Sequence, residues 1–302
     1  MSDSPLSASA YEVLGVMPTV GDDELRRIYR LRLRQAHPDT GGDAAVFVRV
    51  QRAWELVGTP EGRAAYDRAR GEEGGWDGWR APATQTGSRP RASSYGDPGV
   101  WRRARYVALL RDWTGADVAD PYSPPLVHSA PRELRRLLAE ALAEEATAHA
   151  VSGLGMGFTA WHGVDTGADD RLDHVVLGPS GLYGVTSADF GGTVGFRGGE
   201  ITGPSLGHRA PVTALRARIR IVAKAGRVRF SGTIVVLPDD DLSQAVTPLG
   251  RTGDLPVVVV RRSTLPTLLR RGIPGARPIG GNELFDVRTR LRQSIRPAPA
   301  PG

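Results

Sequence analysis

The chain has 302 residues, a length typical of about two domains, and 40% of them are hydrophobic, which is enough to bury ordinary cores. It contains no cysteine, which excludes disulfide bonds and thiolate metal sites and is typical of a reducing cytoplasm. No apolar run approaches the ~18 residues of a membrane-spanning helix, and the polar N-terminus lacks the basic flank and apolar stretch of a signal peptide. We therefore expect a cytoplasmic protein without membrane contact.

The formal net charge of +6 comes almost wholly from arginine, because Lys224 is the single lysine among 39 basic residues. A basic protein can bind nucleic acid or an acidic partner. Codon usage in a GC-rich genome also favours arginine over lysine, so the count alone does not identify a nucleic-acid-binding protein.

Residues 9–69 have the pattern of a compact helical module. Asp22-Asp23-Glu24 begins a helix, since carboxylates favour the positive end of the helix dipole, and Pro38 ends it. The apolar residues of this helix form one buried stripe, Leu25, Ile28, Tyr29, Leu33 and Ala36. Its other faces carry a dense set of cations, Arg26, Arg27, Arg30 and Arg34.

A second amphipathic helix is predicted from about Asp43 to Val57. Two such helices of matched length, joined by a short turn, form an antiparallel hairpin. Tyr11 to Val16 predicts a short helix that covers one end of the hairpin, and Pro60 to Asp67 predicts a last short helix.

Four features of this module, in this order, resemble the J domain of the DnaJ family: Tyr11-Glu12-Val13-Leu14-Gly15-Val16, the basic helix, His37-Pro38-Asp39, and Pro60-Glu61-Gly62-Arg63-Ala64-Ala65-Tyr66-Asp67. The resemblance implies a helical hairpin that contacts a DnaK-type chaperone and triggers its ATP hydrolysis. It implies that His37, Pro38 and Asp39 are the trigger. Arg26, Arg27, Arg30 and Arg34 would be the electrostatic contacts, and Arg32 departs from the pattern because many J domains have an apolar residue there.

The remainder of the chain does not follow the larger DnaJ proteins. It has no CxxCxGxG zinc repeats, since it has no cysteine, and no pattern of β-sandwich client-binding domains. The chain therefore resembles the J proteins that attach a J domain to an unrelated specificity module.

The residues after the module fall into four predicted segments. Residues 70–99 are rich in Gly, Pro, Ser and Arg and predict a flexible linker, and residues 100–130 predict a helical, proline-rich connector. Residues 131–292 alternate helices and strands in the order α-β-β-β-(β)-α-β-β-α, which predicts a mixed α/β fold. Residues 293–302 predict a disordered tail.

The stretch from Leu172 to Tyr183 resembles the nuclease-related domain NERD, whose fold is restriction-endonuclease-like. Such nucleases use a helix Glu, an Asp before a hairpin and a Glu-x-Lys pair to hold Mg²⁺ and activate water. The matching positions here are Glu144, Asp173, Thr186 and Ala188. Thr186 and Ala188 supply neither a carboxylate nor a cation, so the resemblance implies a vestigial site without metal, cofactor or catalytic residues.

Three hypotheses follow. The first is a non-enzymatic co-chaperone adaptor whose C-terminal domain binds a client or determines a location. The second is a divergent metal-dependent nuclease coupled to a J domain. The third is a protein that tethers nucleic acid without cleaving it.

Overall fold

The structure is a computed structural model that describes residues 4–6, 8–38, 41–71, 91–167, 170–203, 205–252 and 255–296. The chain divides into two compact units. Among the described residues, the N-terminal unit consists of 8–71 and 120–129, and the C-terminal unit consists of 4–6, 91–119 and 130–296.

The N-terminal unit begins with four helices, α1 Ala10–Leu14, α2 Asp22–Ala36, α3 Ala44–Val57 and α4 Pro60–Gly71. The side chains of Ser9 and Glu12 form a capping box that starts α1, and Gly15 ends it in the left-handed region with φ 73°. Three acidic residues begin α2, which stops at Ala36 because the residue before a proline disfavours helical geometry. The predicted helical hairpin is therefore present.

The hairpin is held together by the predicted apolar stripes. Leu25 of α2 packs with Val50 and Val57 of α3 and with Leu14 of α1, and all four are buried. The rings of Tyr29 and Trp54 stack with their centroids 4.3 Å apart.

The elements after α4 are, in chain order, β1 Ser93–Tyr95, α5 Val100–Thr114, α6 Pro124–Ser129, α7 Arg132–Ser152, β2 Thr159–Gly167, β3 Asp170–Gly178, β4 Gly181–Ser187, β5 Gly195–Arg197, β6 Glu200–Thr202, α8 Pro211–Gly226, β7 Gly232–Leu237, β8 Val246–Thr252, β9 Leu255–Arg261, α9 Leu265–Arg271 and α10 Gly281–Ser294. Seven strands form one sheet in the order β1-β2-β3-β4-β7-β9-β8, and β5 and β6 form a separate hairpin. Within the large sheet, β1–β2, β4–β7 and β7–β9 are parallel pairs, and the other pairs are antiparallel. The predicted mixed α/β fold is confirmed.

Apolar side chains cover both faces of this sheet. On one face, Leu215 of α8 and Leu291 of α10 pack on the strands. On the other, Val151 of α7 and Leu269 of α9 do so. The central strand β7 is buried along its whole length, as its continuous apolar sequence predicts.

Several local predictions were wrong. The predicted linker 70–99 contains β1, which pairs with β2, and residues 72–90 lie outside the described residues. β8 was missed because Pro248 and Gly250 interrupt its strand pattern, although β9 pairs with it on one side.

The connector 100–130 also differs from its prediction. α5 packs against α7 in the C-terminal unit, whereas α6 contacts α4 in the N-terminal unit. Most of the tail, residues 297–302, lies outside the described residues. Among the described helices, none has both the length and the apolar character needed to cross a bilayer.

Candidate functional site

The first candidate site is the turn after α2. The backbone N–H of His37 donates to the carbonyl of Arg34 over 3.4 Å, and the His37 carbonyl accepts from Gly42 N–H over 3.0 Å. The carbonyl of Pro38 accepts from Gly41 N–H, also over 3.0 Å. Asp39 of the predicted tripeptide lies outside the described residues. Backbone hydrogen bonds thus fix the described part of the turn at both sides of Pro38.

The ring of His37 is positioned by a contact with a side chain of α3. It packs edge-on against Phe47, with ring centroids 5.1 Å apart and an interplanar angle of 88°. Gly42 brings the start of α3 close to the end of α2, since a Cβ at this position would lie 2.3 Å from the carbonyl carbon of Ala36. The turn therefore presents a half-buried imidazole and an exposed Pro38 in a defined geometry.

The predicted cations of α2 form an exposed stripe that leads to this turn. Arg26, Arg30 and Arg34 follow at four-residue spacing, so they share one helix face, and all three are exposed. Arg27 lies beside them and makes an ion pair with Glu24 over 2.7 Å, while Arg26 lies 4.0 Å from Asp23. The hydrogen bond from Arg27 lowers the pKa of Glu24. We call these four arginines the α2 stripe.

The departure at Arg32 does not disturb the fold. Its side chain is exposed and its guanidinium lies against Gly15, the residue that ends α1. A cation at the C-terminal end of a helix is favourable. Arg32 can therefore occupy a position where many J domains have an apolar residue, because its charged side chain lies along the surface.

The first and last helical motifs of the module contact one another. The hydroxyl of Tyr11 donates to Asp67 over 2.7 Å, and the hydroxyl of Tyr66 accepts from Ala10 N–H over 2.8 Å. Arg63 pairs with Asp22 over 3.0 Å. Burial, helped by the hydrogen bond to Asp67, raises the pKa of Tyr11 to about 12. These contacts fix α1 and α4 around the hairpin that carries the turn.

The second candidate site lies in the C-terminal unit, around the predicted carboxylates Glu144 of α7 and Asp173 of β3. Both are buried, and the guanidinium of Arg102 from α5 bridges them. Its Nη2 lies 2.8 Å from Asp173 and its Nε lies 3.4 Å from Glu140, while its Nη1 bonds Glu144. The structure therefore brings the two predicted carboxylates together around a cation that belongs to the chain.

The strand next to Asp173 carries the two remaining predicted positions. Thr186 of β4 donates to Asp173 over 2.5 Å, and Ser187 N–H donates to it over 2.8 Å. Ala188 instead packs in the apolar cluster beneath α8. Glu144, Asp173 and Thr186 thus meet at one place, and Ala188 does not join them.

The two carboxylates titrate differently. Burial alone would raise the pKa of Asp173, but the charge of Arg102 and the hydrogen bonds from Thr186 and Ser187 outweigh it and keep that pKa below its usual value. Burial raises the pKa of Glu144 to about 7, against the opposing attraction of Arg102. Asp173 is therefore the permanent anion of the cluster.

The residues present do not fit a divalent metal. The space between the carboxylates is occupied by the guanidinium of Arg102, whose charge would repel a metal ion. Thr186 and Ala188 stand where the nuclease pattern has a carboxylate and a lysine. Within the described ranges, no group of three His, Cys, Asp or Glu side chains has the geometry to hold a metal ion.

A row of polar side chains crosses the sheet beside this cluster. Ser94 of β1, His162 of β2, His174 of β3 and Ser187 of β4 form a chain with successive distances of 2.9, 2.7 and 2.9 Å. Burial lowers the pKa of His162 to about 4, and burial together with His162 lowers that of His174. Ser187 and His174 have the spacing of a nucleophile and its base, but both are fully enclosed. The row is therefore a structural network.

Comparison with known proteins identifies the domain that carries the first site. Residues 9–67 match the DnaJ domain family. Over 58 residues, 19% of this chain and 14% of the relative, the chain is 45% identical to Chaperone protein dnaJ A6 of Oryza sativa subsp. japonica. Over 98 residues it is 34% identical to Chaperone protein DnaJ of Dictyoglomus thermophilum, covering 32% of this chain and 24% of that protein. It is 36% identical over 98 residues to the DnaJ protein of Cereibacter sphaeroides, covering 31% and 24%. No solved structure matches the chain.

Residues 9–67 therefore form a DnaJ domain, as the sequence predicted. The chain spans between 14 and 24% of the length of these relatives. The likeness of residues 131–292 to NERD and to the restriction-endonuclease-like fold stays a prediction.

Sequence reasoning missed Arg102, the centre of the second site. Arg102 lies 71 positions from Asp173 and 42 from Glu144, in a segment predicted to be a connector. One signal was available, because the two carboxylates predicted to lie together on buried elements, Glu144 and Asp173, require a counter-charge.

Proposed function

We propose that the protein is a co-chaperone adaptor whose DnaJ domain docks on a DnaK-type chaperone and stimulates its ATP hydrolysis. The observation that supports this most is the turn at His37 and Pro38, held by Phe47 and Gly42, at the end of the α2 stripe. The ATP chemistry belongs to the partner, so the protein needs no cofactor. Its place of action, in this proposal, is the cytoplasm.

Docking through the α2 stripe would be fast and salt-dependent, because exposed charges steer association and are screened by ions. His37, Pro38 and Asp39 would then touch the partner and trigger hydrolysis. Arg26, Arg27, Arg30 and Arg34 would bring the two proteins together.

The test is steady-state ATPase activity of a cognate DnaK-type chaperone, with and without the full chain. The wild type should raise the rate, and His37→Gln should abolish the rise while its circular dichroism spectrum stays unchanged. The double variant Arg26→Glu/Arg30→Glu should raise the concentration needed for half-maximal stimulation.

A second double charge reversal, outside the α2 stripe, distinguishes loss of a docking contact from a general effect of the changed net charge. Arg49 and Arg52 are exposed on α3, outside the stripe. Arg49→Glu/Arg52→Glu should stimulate like the wild type. Normal stimulation by His37→Gln, or an equal loss in both double variants, would overturn the proposal.

For the C-terminal unit we propose a catalytically degenerate nuclease-like domain that binds a client protein or directs the DnaJ domain to a location. The bridge from Arg102 to Glu144 and Asp173 supports this, because it neutralises the carboxylates that a nuclease would need for metal.

The second candidate function is a divergent metal-dependent nuclease. The meeting of Glu144, Asp173 and Thr186 favours it, since the predicted active-site positions do lie together. Incubation of supercoiled plasmid with the protein and Mg²⁺ or Mn²⁺ separates the two. Intact plasmid supports the adaptor, whereas cleavage that Asp173→Ala abolishes supports the nuclease.

A further inference from the structure

α8 and α10 lie on the same face of the large sheet. α8 buries Leu215 and Ile219, and α10 buries Val287 and Leu291, in one apolar cluster. The ends of the helices touch, since a Cβ on Gly226 would lie 3.3 Å from Leu291. Their opposite faces therefore form one continuous solvent-exposed surface.

This surface is strongly basic. It carries five exposed cations, Arg220, Lys224, Arg227, Arg290 and Arg292, which we call the α8–α10 basic surface. α8 contains no acidic residue, and α10 contains only Glu283, which pairs with Arg277, and Asp286. In the part of the chain that the structure describes, none of the five cations pairs with a carboxylate.

Four of these cations are adjacent to one another, whereas the guanidinium of Arg292 lies over the ring of Tyr95, 5.4 Å from its centroid. Arg220 and Lys224 are four residues apart and share the outer face of α8. Arg290 of α10 reaches across and donates to the Arg227 carbonyl over 3.3 Å. Arg227 has φ 49°, and among the described residues it is the one non-glycine with positive φ. A glycine would avoid this strain, yet the position carries a cation.

Ordinary explanations account for only part of this pattern. A GC-rich genome favours arginine over lysine, but it does not remove acidic residues from a helix face. A cation at the end of α8 is favourable for the helix dipole, but this applies to Arg227 and Lys224 alone. Unpaired like charges side by side repel one another, so the surface is suited to an anionic partner.

We propose that the α8–α10 basic surface binds single-stranded nucleic acid. α8 has 16 residues and α10 has 14, so each is long enough, at about 1.5 Å per residue, to follow several phosphates. Phe285, 66% exposed on α10, supplies the aromatic face on which an unpaired base stacks. This inference goes beyond the co-chaperone function and does not rest on it.

Other anionic partners fit less well. Insertion into a lipid surface needs a broad apolar face, but the apolar faces of both helices are buried on the sheet, and only Phe285 and Ile221 are notably exposed large apolar side chains. An acidic protein would use the cations but leave Phe285 without a stacking partner. A strand of phosphates and bases uses both features.

The test measures the fluorescence anisotropy of labelled 20-residue oligothymidylate titrated with the full chain. If three to five phosphates are engaged, affinity should fall roughly 20- to 100-fold between 50 and 200 mM salt. Arg220→Glu/Lys224→Glu/Arg290→Glu should weaken binding at least tenfold. The matched reversal Arg26→Glu/Arg30→Glu/Arg34→Glu, with the same change of net charge, should bind like the wild type.

Phe285→Ala sharpens the assignment. It should weaken binding of oligothymidylate about tenfold and leave binding of an abasic oligonucleotide unchanged, because only the former can stack. Absent binding at 50 mM salt, equal loss in both triple variants, or equally tight binding of polyglutamate or anionic vesicles would overturn the proposal. All substituted residues are exposed, and circular dichroism checks that each variant is folded.

Discussion

Arg26 on α2 and Arg102 on α5 both face carboxylates, but their surroundings differ. Arg26 is half exposed and lies 4.0 Å from an exposed Asp23, whereas the side chain of Arg102 is 14% exposed and contacts three carboxylates. A pair in water gains little from its contact and can exchange partners at small cost. A pair away from water is costly to break, since it leaves charges without solvation. Since both residues are arginines, exposure and not residue type separates Arg26, which we propose to be a docking cation, from Arg102.

The largest effect should come from removing the buried cation. Arg102→Ala leaves Asp173 without its counter-charge, which should lower the free energy of unfolding of the C-terminal unit by about 3–5 kcal/mol. Urea denaturation at pH 7, followed by far-ultraviolet circular dichroism, measures this. Arg105→Ala, at an exposed position of the same helix, should change stability by less than about 0.5 kcal/mol. A small effect of Arg102→Ala would show that the buried cluster behaves like the surface pairs.

The next effect concerns the buried histidines. The pKa of His162 falls to about 4 in the folded protein, below the ordinary value of 6.5. The unfolded chain therefore binds the proton first, so this contribution is complete above pH 6.5 and is lost as pH falls towards 4. It amounts to about 3 kcal/mol, at about 1.4 kcal/mol per pKa unit.

Comparing the wild type with His162→Gln isolates the contribution of His162 to the pH dependence of stability. Glu144 and Asp241 have raised pKa values that act in the opposite direction, but both residues are present in both proteins. The stability of the wild type relative to the variant should fall between pH 7 and pH 4.5. Parallel pH profiles would show that His162 is not the group that titrates.

A smaller effect is expected in the turn of the DnaJ domain. Gly42→Ala places a methyl group against the backbone of Ala36, which should cost about 1–3 kcal/mol of stability. Stimulation of the chaperone ATPase should fall with it, because the turn and Phe47 move relative to His37. Gly41→Ala is the comparison variant: no atom lies near its added methyl group, but its φ of 82° strains an alanine backbone. The pair of variants therefore compares steric crowding at Gly42 with backbone strain at Gly41. Unchanged thermal unfolding of Gly42→Ala would contradict the close approach.

The smallest effect on stability is expected for Arg26→Ala, since its ion pair is exposed. The unfolding midpoint should stay unchanged, while the rate of association with the chaperone falls at low salt and approaches that of the wild type at high salt. Stopped-flow binding at two salt concentrations measures both limits. A shift in unfolding midpoint with no change in association rate would assign Arg26 to the fold and not to docking.

The DnaJ domain could be predicted because its signals are local. The acids that begin α2, the proline at position 38 that ends this helix and the apolar spacing of α3 all act within a few residues. The positions Glu144, Asp173 and Thr186 could be matched to a nuclease pattern by resemblance. Arg102 could not be found in this way, because its partners lie on α7 and β3 and only the fold brings them together.

The sheet was predicted where sequence alternation or continuous apolarity marks a strand. β1 has only Ser93, Ser94 and Tyr95, too short for such a pattern, and it exists through its pairing with β2. β8 likewise depends on β9. In edge strands, the extended conformation is determined more by pairing with the neighbouring strand than by the β-propensity of the residues themselves.

The pairing of β1 with β2 has a consequence for dissecting the chain. A fragment starting at residue 131, where the sequence suggested a domain boundary, would lose β1, α5 and Arg102 together. Its β2 would then present an open row of backbone donors and acceptors, the usual template for self-association of sheets. A fragment starting near residue 91 keeps that border covered, so the shorter piece should aggregate and the longer one should not.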